Sequence, residues 1–266
     1  MVNWSHWHTE PLLVGGVLFI CWLYSILVGP LRERIKRNAS FPKTEICYFS
    51  LGMVSFYLAV GSPLDALGEG FLFSAHMFQH NILMYLSPLF FVLGVPGWLV
   101  DRAAKKSALF RKIFRFLVHP VVSGTAFTLS FSIWHFPYLF ELALRSKFFH
   151  SLEHLTMFIS SILMWWNIAS RSKTFPPLQW GVQILYFFAL MVAQTPVFGI
   201  LTFAKNVLYP TYADAARIFP SLDPTGDQML GGFIMKFTNM VASLAVIGAA
   251  FYKWANRSRV SAGLKT

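Results

Sequence analysis

The chain predicts an all-α, polytopic membrane protein with seven transmembrane helices, and three observations carry that prediction. Hydrophobic residues make up 56% of the 266 positions and charged residues only 12%, with a mean hydropathy of +0.55. Seven apolar runs, at 11–29, 44–61, 72–96, 118–142, 149–169, 180–201 and 228–253, approach or exceed the roughly 20 residues that cross a bilayer. The basic residues alternate between the connections that join these runs. No compact soluble core needs so many long apolar segments.

The distribution of charge sets the expected orientation. Of the 22 Lys and Arg residues, Arg32, Arg34, Lys36, Arg37 and Lys43 follow the first run, and a second group from Arg102 to Arg115 follows the third. Arg171 and Lys173 follow the fifth, and Lys253, Arg257, Arg259 and Lys265 close the chain. The alternate connections hold only Arg145, Lys147, Lys205 and Arg217. By the positive-inside rule the N-terminus lies outside and the C-terminus in the cytoplasm. The net charge of +11 is then topological, facing anionic lipid heads of the bilayer, and implies no nucleic-acid partner.

Taken in order, the chain opens with a tail carrying Trp4, His6, Trp7 and His8, a composition that favours the membrane interface. It lacks a basic n-region and a small-residue cleavage site, so no cleavable signal is expected. Cys21 and Cys47 fall inside the first two runs without metal-binding spacing and read as small apolar filler. The connection Gly61–Gly70 is short and acidic, with Asp65 and Glu69. Prolines stand near most expected helix ends, whereas Pro88 and Pro196 fall inside runs three and six and should disturb those helices by removing a backbone hydrogen bond. Residues 202–227, rich in Tyr, Pro and Ala, suit a short interfacial helix or a lid. No repeat or linker divides the chain, so residues 1–266 form one domain.

The polar residues are few and converge. His76 and His80 lie four apart near the outer end of the third run, and His150 and His154 have the same spacing at the outer end of the fifth. Residues four apart on a helix share a face and can chelate one ion. His135 ends the fourth run on that side, and Asp227 opens the seventh. Imidazole suits copper, zinc, iron and nickel, while thioether sulfur selects cuprous copper. Met77, Met84 and Met157 lie on or beside the histidine helices, with Met229 and Met235 on the seventh run, which favours copper over zinc. The candidate metal residues are therefore His76, His80, His150, His154 and Asp227, with His135, Met77, Met84 and Glu153 as secondary candidates. Glu153 reads as a carboxylate that orients an imidazole. His119 is the only histidine expected on the inner side. Lys236 sits about nine residues into the seventh run, roughly 13 Å below Asp227, and its partner is not evident.

Several function classes are excluded on these residues. Two histidines four apart on one helix are too close to serve two haems, which leaves at most one haem shared between the pairs. The additional HxxHH clusters of membrane di-iron oxygenases and the HExxH of zinc proteases are missing, and no nucleophile stands beside a base. A channel or transporter usually carries ionisable groups through its full depth; here, Lys236 apart, they stop near one surface. The class that remains is an outward-facing metal-handling membrane protein with no enzymatic activity.

Phe73-Ser74-Ala75-His76-Met77-Phe78-Gln79-His80, Trp134-His135-Phe136-Pro137, His150-Ser151-Leu152-Glu153-His154 and Asp227-Gln228-Met229-Leu230-Gly231-Gly232-Phe233-Ile234-Met235 resemble the polytopic CtaG family of cytochrome c oxidase assembly factors. Met229 stands where that family has a second glutamine, and Lys236 where it has an aromatic residue. The resemblance implies a multi-pass protein of the bacterial plasma membrane that handles copper at the exocytoplasmic face during haem–copper oxidase maturation. Its implied partners are cytochrome c oxidase subunits and a periplasmic copper chaperone. Two other functions fit the same residues: a permanent accessory subunit of a respiratory complex, and a copper import or tolerance protein resembling the CopD group.

Overall fold

In the computed structural model, residues 4–5 and 7–261 are described, with side chains as far as Arg257. Their regular structure is entirely helical. In chain order the helices are α1 (Pro11–Val28), α2 (Arg32–Ile35), α3 (Lys43–Gly61), α4 (Pro63–Gly70) and α5 (Phe73–Asn81). A π-helical turn at Ile82–Leu86 leads into α6 (Ser87–Gly94). Then come α7 (Gly97–Lys106), α8 (Ala108–Leu117), α9 (Pro120–Trp134), α10 (Pro137–Arg145) and α11 (Lys147–Ala169). The last four are α12 (Trp180–Ala193), α13 (Thr195–Phe203), α14 (Pro210–Asp214) and α15 (Pro224–Ser261). Prolines at the first position open α1, α4, α9, α10, α14 and α15, where the missing N–H costs nothing and φ is already set for a helix.

Five stretches are long and apolar enough to cross a membrane: Pro11–Val28, Lys43–Gly61, Phe73–Gly94, Trp180–Phe203 and Pro224–Arg257. A sixth arises if α8 and α9, bent by 60° at their junction, act as one span. The fourth expected span is shorter than its apolar run, because α9 stops at Trp134 and a new helix begins at Pro137. Helix α11 has 23 residues, about 35 Å at helical rise. It is less apolar than the others because His150, Glu153, His154 and Thr156 occupy its first half. The acidic connection 61–70 is helical rather than looped, with the Ser62 hydroxyl capping α4 by accepting from the Leu64 amide. Within 202–227 only Pro210–Asp214 is helical, and Tyr209 and Tyr212 from this connection are buried.

Both internal prolines act where the sequence places them. Pro88 cannot donate to the carbonyl one turn earlier, that of Met84, and the helix widens into the π-turn immediately before it. The freed Met84 carbonyl accepts instead from the Trp165 indole at 3.0 Å. Pro196 stands at the start of α13, just beyond the break at Gln194. There Gln194 joins Tyr85 and Asn239 in a buried triad with separations of 2.8–3.0 Å. The triad ties the π-turn, the α12–α13 break and α15 together. Lys236 finds its partners at this break too: Nζ donates to the Thr195 hydroxyl at 3.1 Å and lies 5.5 Å from the centre of the Phe198 ring.

Helix α1 is held at the edge, where Tyr24 stacks on Phe49 with ring centres 3.7 Å apart and donates to the Gly94 carbonyl at 2.8 Å. Close approach of α6 to α3 requires Gly94, because a Cβ there would lie 2.6 Å from the Phe49 amide nitrogen. Gly94→Ala must therefore separate two backbones, and it is expected to cost about 1–3 kcal/mol, read as a lower unfolding midpoint in detergent. An unchanged midpoint contradicts the close contact.

At the end of the bundle that carries the basic connections, Asp101 organises residues 172–174. Its carboxylate accepts from the Ser172 hydroxyl at 2.6 Å, the Thr174 amide at 2.9 Å and the Lys173 amide at 3.1 Å. Burial pushes this carboxyl up, but the three hydrogen bonds outweigh it and hold it below the usual range. A carboxylate lowered in the folded state stabilises above its unfolded value of about 3.8–3.9, and that contribution fades as pH falls through the lowered folded value. Asp101→Asn should thus cost about 1 kcal/mol at neutral pH, after allowing for solvent screening. The difference from wild type should shrink below about pH 3.9; a pH-independent difference contradicts this origin.

Candidate metal centre

The opposite end of the bundle gathers α4, α10, α14, the start of α5 and the first turns of α11 and α15. Helical spacing puts His76 and His80 on the inward face of α5, with Nε2 atoms 2.8 Å apart. His150 and His154 face inward from α11 with Nε2 atoms 3.1 Å apart. The two pairs meet: ring centres of His76 and His150 are 5.6 Å apart, and those of His80 and His154 are 5.4 Å apart. Ligand atoms of His76, His80, Glu153 and His154 all lie within 4.8 Å of one another. His76, His80 and Glu153 are completely buried.

Hydrogen bonds assign the ring protons. The single Tyr212 hydroxyl proton goes to the Gly68 carbonyl at 2.7 Å, so its oxygen accepts from His76 Nδ1 at 3.1 Å. The Phe131 carbonyl accepts from His135 Nδ1 at 2.6 Å. The Glu69 carboxylate accepts from His150 Nδ1. Burial pushes the Glu69 carboxyl up, but its bond to His150 and the neighbouring positive charge outweigh that and keep it low. Each of these three rings, when neutral, carries its lone pair on Nε2, directed into the cluster. His135 Nε2 faces the Met77 sulfur at 3.3 Å, an approach of two electron-pair donors with no proton of the neutral ring between them. Both carboxylate oxygens of Glu153, and Nδ1 of His80, are buried with no hydrogen-bond partner. Glu153 Oε1 lies 3.6 Å from His80 Nε2, beyond hydrogen-bond distance. Orphaned buried carboxylate oxygens cost several kcal/mol unless something completes them, and a cation held among these donors would do so. The donor set fits a metal.

A family model for cytochrome c oxidase caa3 assembly factors, Caa3_CtaG, matches residues 22–257. The chain belongs to this family. Proteins of Mycobacterium bovis and Mycobacterium tuberculosis, both described as uncharacterized, are each 24% identical over 268 residues, covering 95% of this chain. An uncharacterized Mycobacterium leprae protein is 24% identical over 265 residues and 92% of the chain. The chain spans only about 40% of the length of these relatives. No solved structure matches. The family so described consists of assembly factors for cytochrome c oxidase.

Within this Caa3_CtaG protein, two candidate residues take other places. Asp227 is fully buried, but its oxygens accept from the amides of Phe73 at 2.7 Å and Ser74 at 3.1 Å. It caps the start of α5, whose first amides have no partner within the helix, and stands outside the metal-sized groups. Met84 packs in the hydrophobic core beside the π-turn. Glu153, a secondary candidate and an expected orienting group, is among the converging donors. His119 occupies the position just before α9, at the end of that helix away from the cluster, with no capping bond from its side chain, and His6 lies outside the described residues.

Sequence reasoning missed Asp65 and Tyr212 as neighbours of the histidines. Asp65 forms a second group with His150 and His154, and Gln79 and His8 Nε2 contact its carboxylate. Burial first, then the nearby Glu69 charge, pushes the Asp65 carboxyl up to about 6. The spacing of Asp65 and Glu69, four apart beside the first histidine run, is a usable signal. Tyr212, 136 residues from His76, offers none. Because Asp227 holds α5 in place, Asp227→Ala leaves two buried amides unpaired and should cost about 1–3 kcal/mol. Thermal unfolding of the purified chain reads this, and an unshifted midpoint contradicts the capping role.

Proposed function

We propose that this chain is a seven-span membrane protein that binds copper at the exocytoplasmic face and hands it to a cytochrome c oxidase subunit during assembly. Five apolar helices, the bent α8–α9 pair and the 23-residue α11 make up the seven spans. The histidine cluster lies at the end opposite the basic connections, so the positive-inside rule puts it outside. The Caa3_CtaG match supports oxidase as the client, with a periplasmic copper chaperone as the donor.

The observation that carries the metal reading is the meeting of four imidazoles with an unpartnered, fully buried carboxylate. Copper is favoured over zinc by the Met77 sulfur set against the bare nitrogen of His135, since thioether ligands select cuprous copper. His76, His80, His154 and Glu153 hold the ion, while Tyr212 fixes the tautomer of His76.

Metal analysis of the full-length chain purified in detergent tests this reading. Wild type should carry copper, and changing His76, His80, His150 and His154 together to Ala should remove nearly all of it. Copper content unchanged by those four substitutions overturns the assignment.

A further inference from the structure

We propose that Asp65, His150 and His154 form an outer metal position through which an ion enters the buried set. This deepens the proposed function and rests on the buried set being a metal site.

Ligand atoms of Asp65, His150 and His154 lie within 4.8 Å of one another, and His154 belongs to the buried set as well. An ion held in the outer group is therefore already bound to a ligand of the inner one. It moves inward by exchanging the Asp65 oxygen and His150 for His76, His80 and Glu153, one ligand at a time. Exposure falls along the same direction. The Glu69 side chain is 35% exposed and that of His8 17%, those of Asp65 and His150 8% each, and those of His80 and Glu153 0%.

The surroundings of the outer group are built for this task. Glu69 accepts from His150 Nδ1, so the neutral ring turns its Nε2 lone pair toward His154. Gln79 donates to Asp65 from beneath, and the other oxygen of its carboxylate is 3.2 Å from His8 Nε2. The α4 helix that carries Asp65 and Glu69 is pressed onto α5: a Cβ on Gly68 would sit 3.0 Å from the His76 Cα. Outer and inner groups are thus fixed relative to each other. A carboxylate with two imidazoles holds a cuprous ion loosely, whereas the inner group, richer in nitrogen and beside a thioether, retains it. The unpartnered Glu153 oxygens and His80 Nδ1 mark the inner end.

Copper loading kinetics of the apo full-length chain in detergent, with copper supplied as its bicinchoninate complex, test the route. Asp65→Asn combined with Glu69→Gln should slow loading about ten-fold or more, with the final copper content still reaching the wild-type level. Asp65→Glu should recover most of the rate. If wild type binds no copper, the buried-site reading itself fails. Copper bound with unchanged loading rates overturns the entry position alone. A double variant that melts like wild type but never fills also overturns it, because Asp65 is then a retained ligand. Should the double variant melt lower, Glu69→Gln alone carries the test, with a slowing of about three-fold or more expected and an unchanged rate against it.

Discussion

Burying four imidazoles and a carboxylate together at one end of an apolar helix bundle is the constraint on which the rest of this structure depends. Each such group carries a desolvation cost that packing cannot repay. The surrounding elements answer that cost in detail. A tyrosine from α14, a backbone carbonyl of α9 and a glutamate from α4 each take the outward ring proton of one histidine. What remains is a set of nitrogen lone pairs beside a carboxylate without a hydrogen-bond partner, a donor set that fits a cation.

The same constraint explains the irregular helices. α5 must begin at the depth where His76 and His80 meet α11, and the Asp227 carboxylate fixes that start from a helix 154 residues further along the chain. Beyond the histidines the helix opens into a π-turn before Pro88, and the Trp165 indole claims the freed carbonyl. The connection before α15 folds Tyr209 and Tyr212 over the cluster: Tyr209 donates to the His135 carbonyl at 2.9 Å and packs against Phe140 with ring centres 4.2 Å apart. Closure over the site comes from side chains rather than from an extended lid.

Membership of the Caa3_CtaG family and the histidine geometry support one another without depending on each other. The family is one of cytochrome c oxidase assembly factors; the geometry brings the two HxxxH pairs together at one level. The mycobacterial relatives are more than twice as long as this chain, so the helix bundle is a unit that occurs within larger proteins.

Composition, the seven apolar runs and the paired histidines were legible from residues alone, because helical periodicity and hydropathy are local properties of the chain. His76, His80, His150 and His154 were identifiable for that reason, and so were the effects of Pro88 and Pro196. Other assignments needed the folded chain. Asp227 has the chemistry of a ligand in sequence and the place of a cap in space, a difference set by its contact with the amides of Phe73 and Ser74. Glu153 fits both an orienting group and a ligand in sequence, and only the fold leaves its oxygens without hydrogen-bond partners. Asp65, Glu69 and Tyr212 come from segments whose register against α5 and α11 depends on side-chain packing between distant helices. Local sequence determined which helices form and which faces carry donors; tertiary contacts alone decided which donors meet, because those contacts join residues up to 154 positions apart.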